Sequence, residues 1–131
     1  MKNILIYLCM SFMSSVALAD IILDNKTDYP AKANSSIAVQ WAESGENIQK
    51  ENKSILNHSM LNEHTLQSLK QNGLIKISPP NQAKYFRIVV WSTDKKTPDF
   101  LTSWVDIVPS KTYTINQDLL IPAVLMSGSG C

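Results

Sequence analysis

The stretch that decides the fold is YFRIVVWS, which spans residues 85–92. It is apolar at almost every position, so an extended chain would present apolar side chains on both of its faces. A strand of that kind needs a packed layer on each face and lies inside a sheet rather than at its edge. We therefore predict that residues 85–92 form a central β-strand.

Shorter segments with an alternating pattern lie on both sides of this strand. Residues 36–42 place Ile37, Val39 and Trp41 on one face of an extended chain. Pro122 interrupts the last apolar segment, which is typical of an edge strand or a bulge. The other predicted strands cover residues 21–23, 74–78, 100–108, 111–115 and 119–125.

Seven such segments, separated by turn residues at a spacing of roughly ten positions, indicate an all-β protein. We predict a small antiparallel β-sandwich of immunoglobulin-like architecture with at most one short helix, and a small β-barrel is the alternative. The cysteine pair of antibody domains is absent from the sequence. The resemblance therefore concerns architecture alone and implies no function.

The region between the second and third predicted strands has no clear period. Residues 43–62 are polar, and we interpret them as a long loop with at most one weak strand around Ile55 and Leu56. Asn62 suits the N-cap of a short helix that would end before Gly73. The alternative is a hairpin turned by Asn72 and Gly73, but its cross-strand pairs would match apolar with charged side chains, which favours the helix.

The amino-terminal segment has the features of a secretory signal peptide. Lys2 supplies a positive charge, residues 4–16 are mostly apolar, and Ala17-Leu18-Ala19 is a small-x-small cleavage site. A membrane anchor is the alternative, but the apolar run is shorter than the ~20 residues that span a bilayer. We predict cleavage after Ala19 and a secreted or periplasmic protein with no transmembrane anchor. The high content of Lys, Asn and Ile is typical of bacterial proteins.

Composition limits the domain organisation and the partners. A chain of 131 residues with 44% apolar residues supports one folded domain, predicted over residues 20–126, with residues 127–131 as a flexible Gly/Ser tail. The 12 basic and 11 acidic side chains nearly balance. A nucleic-acid partner bound by bulk electrostatics is therefore not expected.

Motifs for catalysis and for cofactor binding are missing from the sequence. The two histidines, His58 and His64, lie in the polar region, and neither a Gly-x-Ser-x-Gly elbow nor a glycine-rich phosphate loop is present. Their spacing matches no recognised metal motif. We predict a protein that is not an enzyme and uses no cofactor or metal; a small secreted hydrolase built on His58 or His64 is a weaker alternative.

Cys131 is the single cysteine that remains once Cys9 leaves with the signal peptide. An exported protein with one cysteine has a free thiol or an intermolecular disulfide, so we consider a disulfide-linked homodimer or a link to another secreted protein. A thiol without a role is an alternative. The sequence Ser-Gly-Ser-Gly-Cys also resembles an engineered linker.

Aromatic and basic side chains supply the remaining candidate contacts. Trp91 precedes the mixed-charge loop 93–99, and Lys95 and Lys96 lie within that loop. Together with Trp104 they are candidate contacts for a ligand or partner, although most tryptophans of this kind simply belong to a core. We predict a binding module that contacts a partner protein; the alternative is a domain that binds a carbohydrate or a lipid headgroup through an exposed Trp and the 93–99 loop.

Overall fold

The computed structural model describes residues 20–125, which form two β-sheets and one α-helix. The predicted signal peptide, residues 1–19, and the predicted tail, residues 127–131, lie outside the described residues. The elements are β1 (Ile21–Lys26), β2 (Ser36–Ala42), α1 (Gly45–Leu56), β3 (Leu66–Ser68), β4 (Gly73–Ile77), β5 (Tyr85–Trp91), β6 (Phe100–Leu101), β7 (Val105–Asp106), β8 (Thr112–Asn116) and β9 (Ile121–Pro122). The small sheet has the strand order β4-β1-β8, and the large sheet has the order β3-β2-β5-β6-β9 with β7 also paired to β5.

The main hydrophobic core lies between the two sheets and confirms the predicted sandwich. β5 is central in the large sheet, as its apolar faces predict, with β2 on one side and β6 and β7 on the other. Alternate side chains of β2 and β5 point towards the small sheet and are almost fully buried there. The burial of these apolar side chains is the main source of stability for a domain without an internal disulfide. The core includes Ile21, Leu23, Ile37, Val39, Trp41, Phe86, Ile88, Val90 and Ile115.

Residues 43–62 contain a helix, so the prediction of a long loop is wrong. α1 begins after Ser44, whose hydroxyl accepts a hydrogen bond from the Asn47 N–H at 3.3 Å. Ile55 packs against the outer face of the large sheet, in a second apolar cluster with Val89 and Leu101. The helix was missed because its buried face includes the charged Glu51, which interrupts the apolar period.

The short helix expected after Asn62 is only a 3₁₀ turn, Glu63–Thr65. Asn62 does cap it, since its side chain accepts a hydrogen bond from the His64 N–H at 3.0 Å. The hairpin alternative is also wrong, because β3 and β4 belong to different sheets. The chain therefore crosses between the layers in this region.

The predicted strand over residues 100–108 is divided into β6 and β7 by a bulge at residues 102–104. Thr102 donates its N–H to the Ile88 carbonyl at 2.9 Å, and its hydroxyl accepts from the Ile88 N–H at 2.9 Å. An extra residue of this kind shifts the alternation of side chains. Leu101 and Trp104 consequently both face α1, whereas strict alternation would place them on opposite faces.

The sheets are not purely antiparallel, because β8 pairs with β1 in parallel. This pair joins strands that are distant in sequence and makes β8 an edge of the small sheet. Between residues 20 and 125, no helix combines the length and the apolar character that crossing a membrane would require.

Candidate functional site

A groove with a volume of about 480 Å³ lies between the edge strand β8 and the strands β7 and β9 of the large sheet. Its volume falls in the range of ligand-binding clefts. Residues from the floor, from both walls and from both ends contribute to it. They are Phe86, Thr102, Ser103, Val105, Lys111, Thr112, Tyr113, Thr114, Ile115, Asp118, Leu119 and Ile121.

The floor of the groove is aromatic and joins the two sheets. The rings of Phe86 and Tyr113 meet edge to face with their centroids 4.9 Å apart. The Tyr113 hydroxyl donates to the Asp106 carbonyl at 2.7 Å and accepts from the Val108 N–H at 2.8 Å. These two hydrogen bonds connect β8 of the small sheet to the end of β7 in the large sheet.

One wall of the groove is the unpaired edge of β8. The N–H of Ile22 bonds to the Lys111 carbonyl at 3.0 Å, and β8 follows β1 in parallel register from Thr112 onwards. Because main-chain groups of successive residues point to opposite sides of a strand, those of Thr112 and Thr114 point away from β1. Within residues 20–125, β8 pairs with no other strand. Each of these threonines thus offers an N–H and a C=O at the groove.

The opposite wall is apolar and open to solvent. Val105, Leu119 and Ile121 have exposed fractions of 38%, 47% and 40%. Apolar side chains that cluster beside a cleft mark contact surfaces more often than isolated ones do. The groove therefore combines free main-chain hydrogen-bonding groups on one wall with exposed hydrocarbon on the other.

Opposite charges lie at the two ends of β8. Lys111 precedes the strand and Asp118 follows it, and both line the groove. The Lys111 ammonium lies 4.9 Å from the centroid of the Tyr113 ring, in a cation–π contact. The single ion pair within the described part of the chain joins Lys26 to Asp24, at 3.8 Å. Lys111 and Asp118 are accordingly without a charged partner there.

The structure places Trp91, Lys95 and Lys96 side by side, as their closeness in sequence suggests. The half-buried Trp91 donates its ring N–H to the Lys96 carbonyl at 3.4 Å, and both lysine side chains are exposed. Lys95 lines a second cavity, of about 360 Å³, together with His58 and Asp99. The Asp99 carboxylate accepts hydrogen bonds from the N–H and the hydroxyl of Ser92 and so closes the loop.

Trp104 does not join that group and lies instead against α1. Its ring stacks on the Arg87 guanidinium, with the Arg87 Cζ 4.4 Å from the ring centroid, and its N–H donates to the Asn52 side chain at 3.1 Å. Both contacts are internal. Trp104 thus covers a buried polar cluster, and its side chain is half-buried there.

The buried polar cluster beneath Trp104 connects α1 to the large sheet. Arg87 donates through Nε to the Gln40 side chain at 2.8 Å and through Nη1 to Asn52 at 2.9 Å. Gln40 in turn donates to the Glu51 carboxylate at 2.8 Å. The glutamine therefore bridges a buried cation and a buried anion.

The surroundings of Arg87 change the pKa of its side chain. Burial lowers the pKa of its guanidinium to about 10, and the negative charge of Glu51 acts in the opposite direction and raises the pKa. Its Nη2 atom is buried without a hydrogen-bond partner among the described residues. The cluster is costly to bury and is best explained by the docking of α1, whose Asn52 and Glu51 complete it.

The two histidines line different cavities in the described part of the chain. His58 lines the cavity beside the 93–99 loop, whereas His64 lines a different cavity, near Glu51 and Asn62. No group of three or more His, Cys, Asp or Glu side chains positioned to hold a metal ion occurs within residues 20–125.

Reasoning from the sequence missed the groove residues Tyr113, Leu119 and Ile121 as functional candidates. The available signal was the apolar segment 119–125, interrupted by Pro122 and therefore predicted to lie at an edge. Its position opposite β8 depends on the pairing of β8 with β1, which no local pattern reveals.

No family model matches the sequence, and no curated protein shows significant similarity to it.

Proposed function

We propose that this protein is an exported binding module, without enzymatic activity, that binds an extended segment of a partner protein along the free edge of β8. The observation that carries the proposal is the groove itself, where unpaired main-chain groups of Thr112 and Thr114 face the exposed side chains of Val105, Leu119 and Ile121. Export is supported by the signal-peptide features of residues 1–19.

An extended peptide matches both walls of this groove. Its main chain can complete the ladder of β8, which supplies affinity independent of sequence, while alternate side chains reach the apolar wall and supply specificity. A lipid headgroup or a glycan has no regular series of donors and acceptors at the spacing of a strand. The chemistry of the walls therefore favours a protein partner.

The other edge of the small sheet provides a contrast. β4 also pairs only with β1 within residues 20–125, but this strand contains the charged Lys76. Charged side chains on an edge strand, lysine above all, discourage pairing with another chain. β8 carries no charged residue between Thr112 and Asn116, so no charge within the strand opposes the pairing of another strand with its free edge.

A second candidate function is the binding of a glycan or an anionic headgroup beside the 93–99 loop. The observation in its favour is that Lys95 and His58 line one cavity, with Trp91 at the base of the same loop. Trp104 has no part in this candidate, because it stacks on Arg87. Loss of glycan or headgroup binding in a Lys95→Ala variant would support it.

The strand-addition proposal is tested with a neutral, end-blocked, fluorescent peptide of alternating valine and threonine, titrated with the protein residues 20–131. We expect saturable binding, seen as a rise in fluorescence polarisation. Thr114→Pro should abolish it, because proline removes the N–H that faces the groove and places a ring there. Proline is tolerated on edge strands when its nitrogen faces outwards, so the β1–β8 ladder stays intact.

The matched control is Thr114→Val, which keeps the N–H and changes only the side chain. It should bind the peptide as the natural protein does, and circular dichroism should show that both variants are folded. Equal binding by the Thr114→Pro and Thr114→Val variants would contradict strand addition. Absence of saturable binding to the natural protein would overturn the proposed function.

A further inference from the structure

We propose, on the basis of the function proposed above, that the groove selects the direction and the charge pattern of its ligand. The bound segment runs antiparallel to β8, with an acidic side chain near its carboxyl end beside Lys111 and a basic side chain near its amino end beside Asp118. The partner is thus identified by chemistry as an extended, apolar segment with a base before it and an acid after it.

The two end charges of the groove carry this inference. Lys111 and Asp118 are both exposed, both line the groove and lie in no ion pair among residues 20–125. A ligand strand lying along β8 brings its own side chains close to both of them. Complementary charges at these positions stabilise the complex, whereas like charges there oppose it.

The length of β8 fixes how far apart the ligand charges must be. The strand has five residues, Thr112–Asn116, and thus spans about 17 Å at 3.3 Å per residue. Lys111 precedes it directly, and Asp118 follows it within a 3₁₀ turn, where the rise per residue is smaller. A base and an acid separated by five neutral residues of an extended ligand therefore match the two end charges.

The direction follows from the geometry of strand pairing. β8 already uses its other edge for a parallel pair with β1. The free edge can accept a strand in either direction, but antiparallel pairs are slightly more stable per residue. In the antiparallel direction the carboxyl end of the ligand lies beside Lys111, so the acidic side chain belongs at that end.

Two end-blocked heptapeptides of identical composition test the inference. One has lysine first and glutamate last, the other has glutamate first and lysine last, and both have alternating valine and threonine between. We expect the natural protein to bind the lysine-first peptide about tenfold more tightly at low salt, since reversal turns two weak attractions into two repulsions. The preference should shrink as salt is added.

The variant with both Lys111→Glu and Asp118→Lys should reverse the preference, and Lys111→Gln alone should reduce it. The matched control exchanges two exposed charges outside the groove, Asp94→Lys with Lys96→Glu, and should retain the preference of the natural protein.

Equal affinity for the two heptapeptides, or a preference for the glutamate-first peptide, would overturn the inferred polarity and leave strand addition intact. A preference unchanged by the exchange of Lys111 and Asp118 would overturn it too, and if that variant fails to fold, an unchanged preference in Lys111→Gln does the same. Failure of both heptapeptides and of the neutral peptide to bind would instead overturn the proposed function itself.

Discussion

The hydroxyl of Tyr113, on β8 of the small sheet, donates a hydrogen bond of 2.7 Å to the carbonyl of Asp106, at the end of β7 in the large sheet. The same hydroxyl accepts from the Val108 N–H at 2.8 Å. One side-chain oxygen thus links the two sheets beside the groove. Tyr113 also lines the groove, so this link between the sheets lies directly beside the free edge of β8.

Removal of that hydroxyl should weaken the link without removing the floor of the groove. We predict that Tyr113→Phe lowers the free energy of unfolding by about 1 kcal/mol, because two hydrogen bonds are lost while the ring stays against Phe86. Urea unfolding measures the change. Tyr85→Phe is the control, since the Tyr85 hydroxyl makes no hydrogen bond within residues 20–125; equal losses in both variants would contradict the role of Tyr113.

The charge of Glu51 should be needed for the docking of α1. Glu51→Gln keeps an oxygen that accepts from Gln40 and from the Asn62 N–H, but it removes the charge that compensates Arg87. We predict a loss of about 2 kcal/mol in unfolding free energy. Glu46→Gln, an exposed change on the same helix, should leave the stability within 0.5 kcal/mol, roughly as surface substitutions do; a similar loss there would contradict the prediction.

The lowered pKa of Arg87 predicts a pH dependence with a definite sign. Burial lowers the pKa to about 10 in the folded protein, well below the pKa of the free side chain. Between these values the unfolded chain binds more protons, so the contribution of Arg87 to stability rises with pH in that window and is constant below it. Relative to Arg87→Met, the natural protein should become more stable as the pH rises above about 10. A constant difference in unfolding free energy up to pH 11 would contradict this.

Export and the role of Cys131 remain predictions, because residues 1–19 and 126–131 lie outside the described structure. Intact-mass measurement of the exported protein should give a chain that begins at Asp20. Non-reducing electrophoresis of that form tests the disulfide hypothesis: a band at twice the monomer mass, removed by reduction and by Cys131→Ser, is expected from it. A chain that retains residues 1–19 would contradict the signal peptide, and a monomer band alone would contradict the disulfide.

The strands were largely predictable because apolar alternation reports burial directly. Residues 36–42 alternate and residues 85–92 are apolar except at Arg87 and Ser92, and these segments correspond to β2 and the central strand β5. α1 was not predictable in the same way, because Glu51 lies between Ile48 and Ile55 on one face of the helix. In the sequence, a buried charged residue such as Glu51, whose hydrogen-bond partner Gln40 lies on another element, cannot be distinguished from an exposed one.

The candidate site was harder to predict than the fold. Trp91, Lys95 and Lys96 lie together because they are neighbours in sequence, whereas a bulge turns Trp104 towards Arg87. The groove requires a parallel pairing between β1 and β8, two strands that are distant in sequence, and this pairing leaves one edge of β8 free. Edges are a property of the whole sheet, so no local pattern identifies them.

Amide hydrogen exchange of the isotopically labelled protein, measured residue by residue with and without the neutral valine–threonine peptide, tests strand addition most directly. We predict that the exchange of the Thr112 and Thr114 amides slows when the peptide binds, because the new ladder engages them. The amides of Leu74 and Lys76, on the opposite free edge, should be unchanged. Saturable binding with no slowing at Thr112 and Thr114, or with equal slowing at Leu74 and Lys76, would contradict the account.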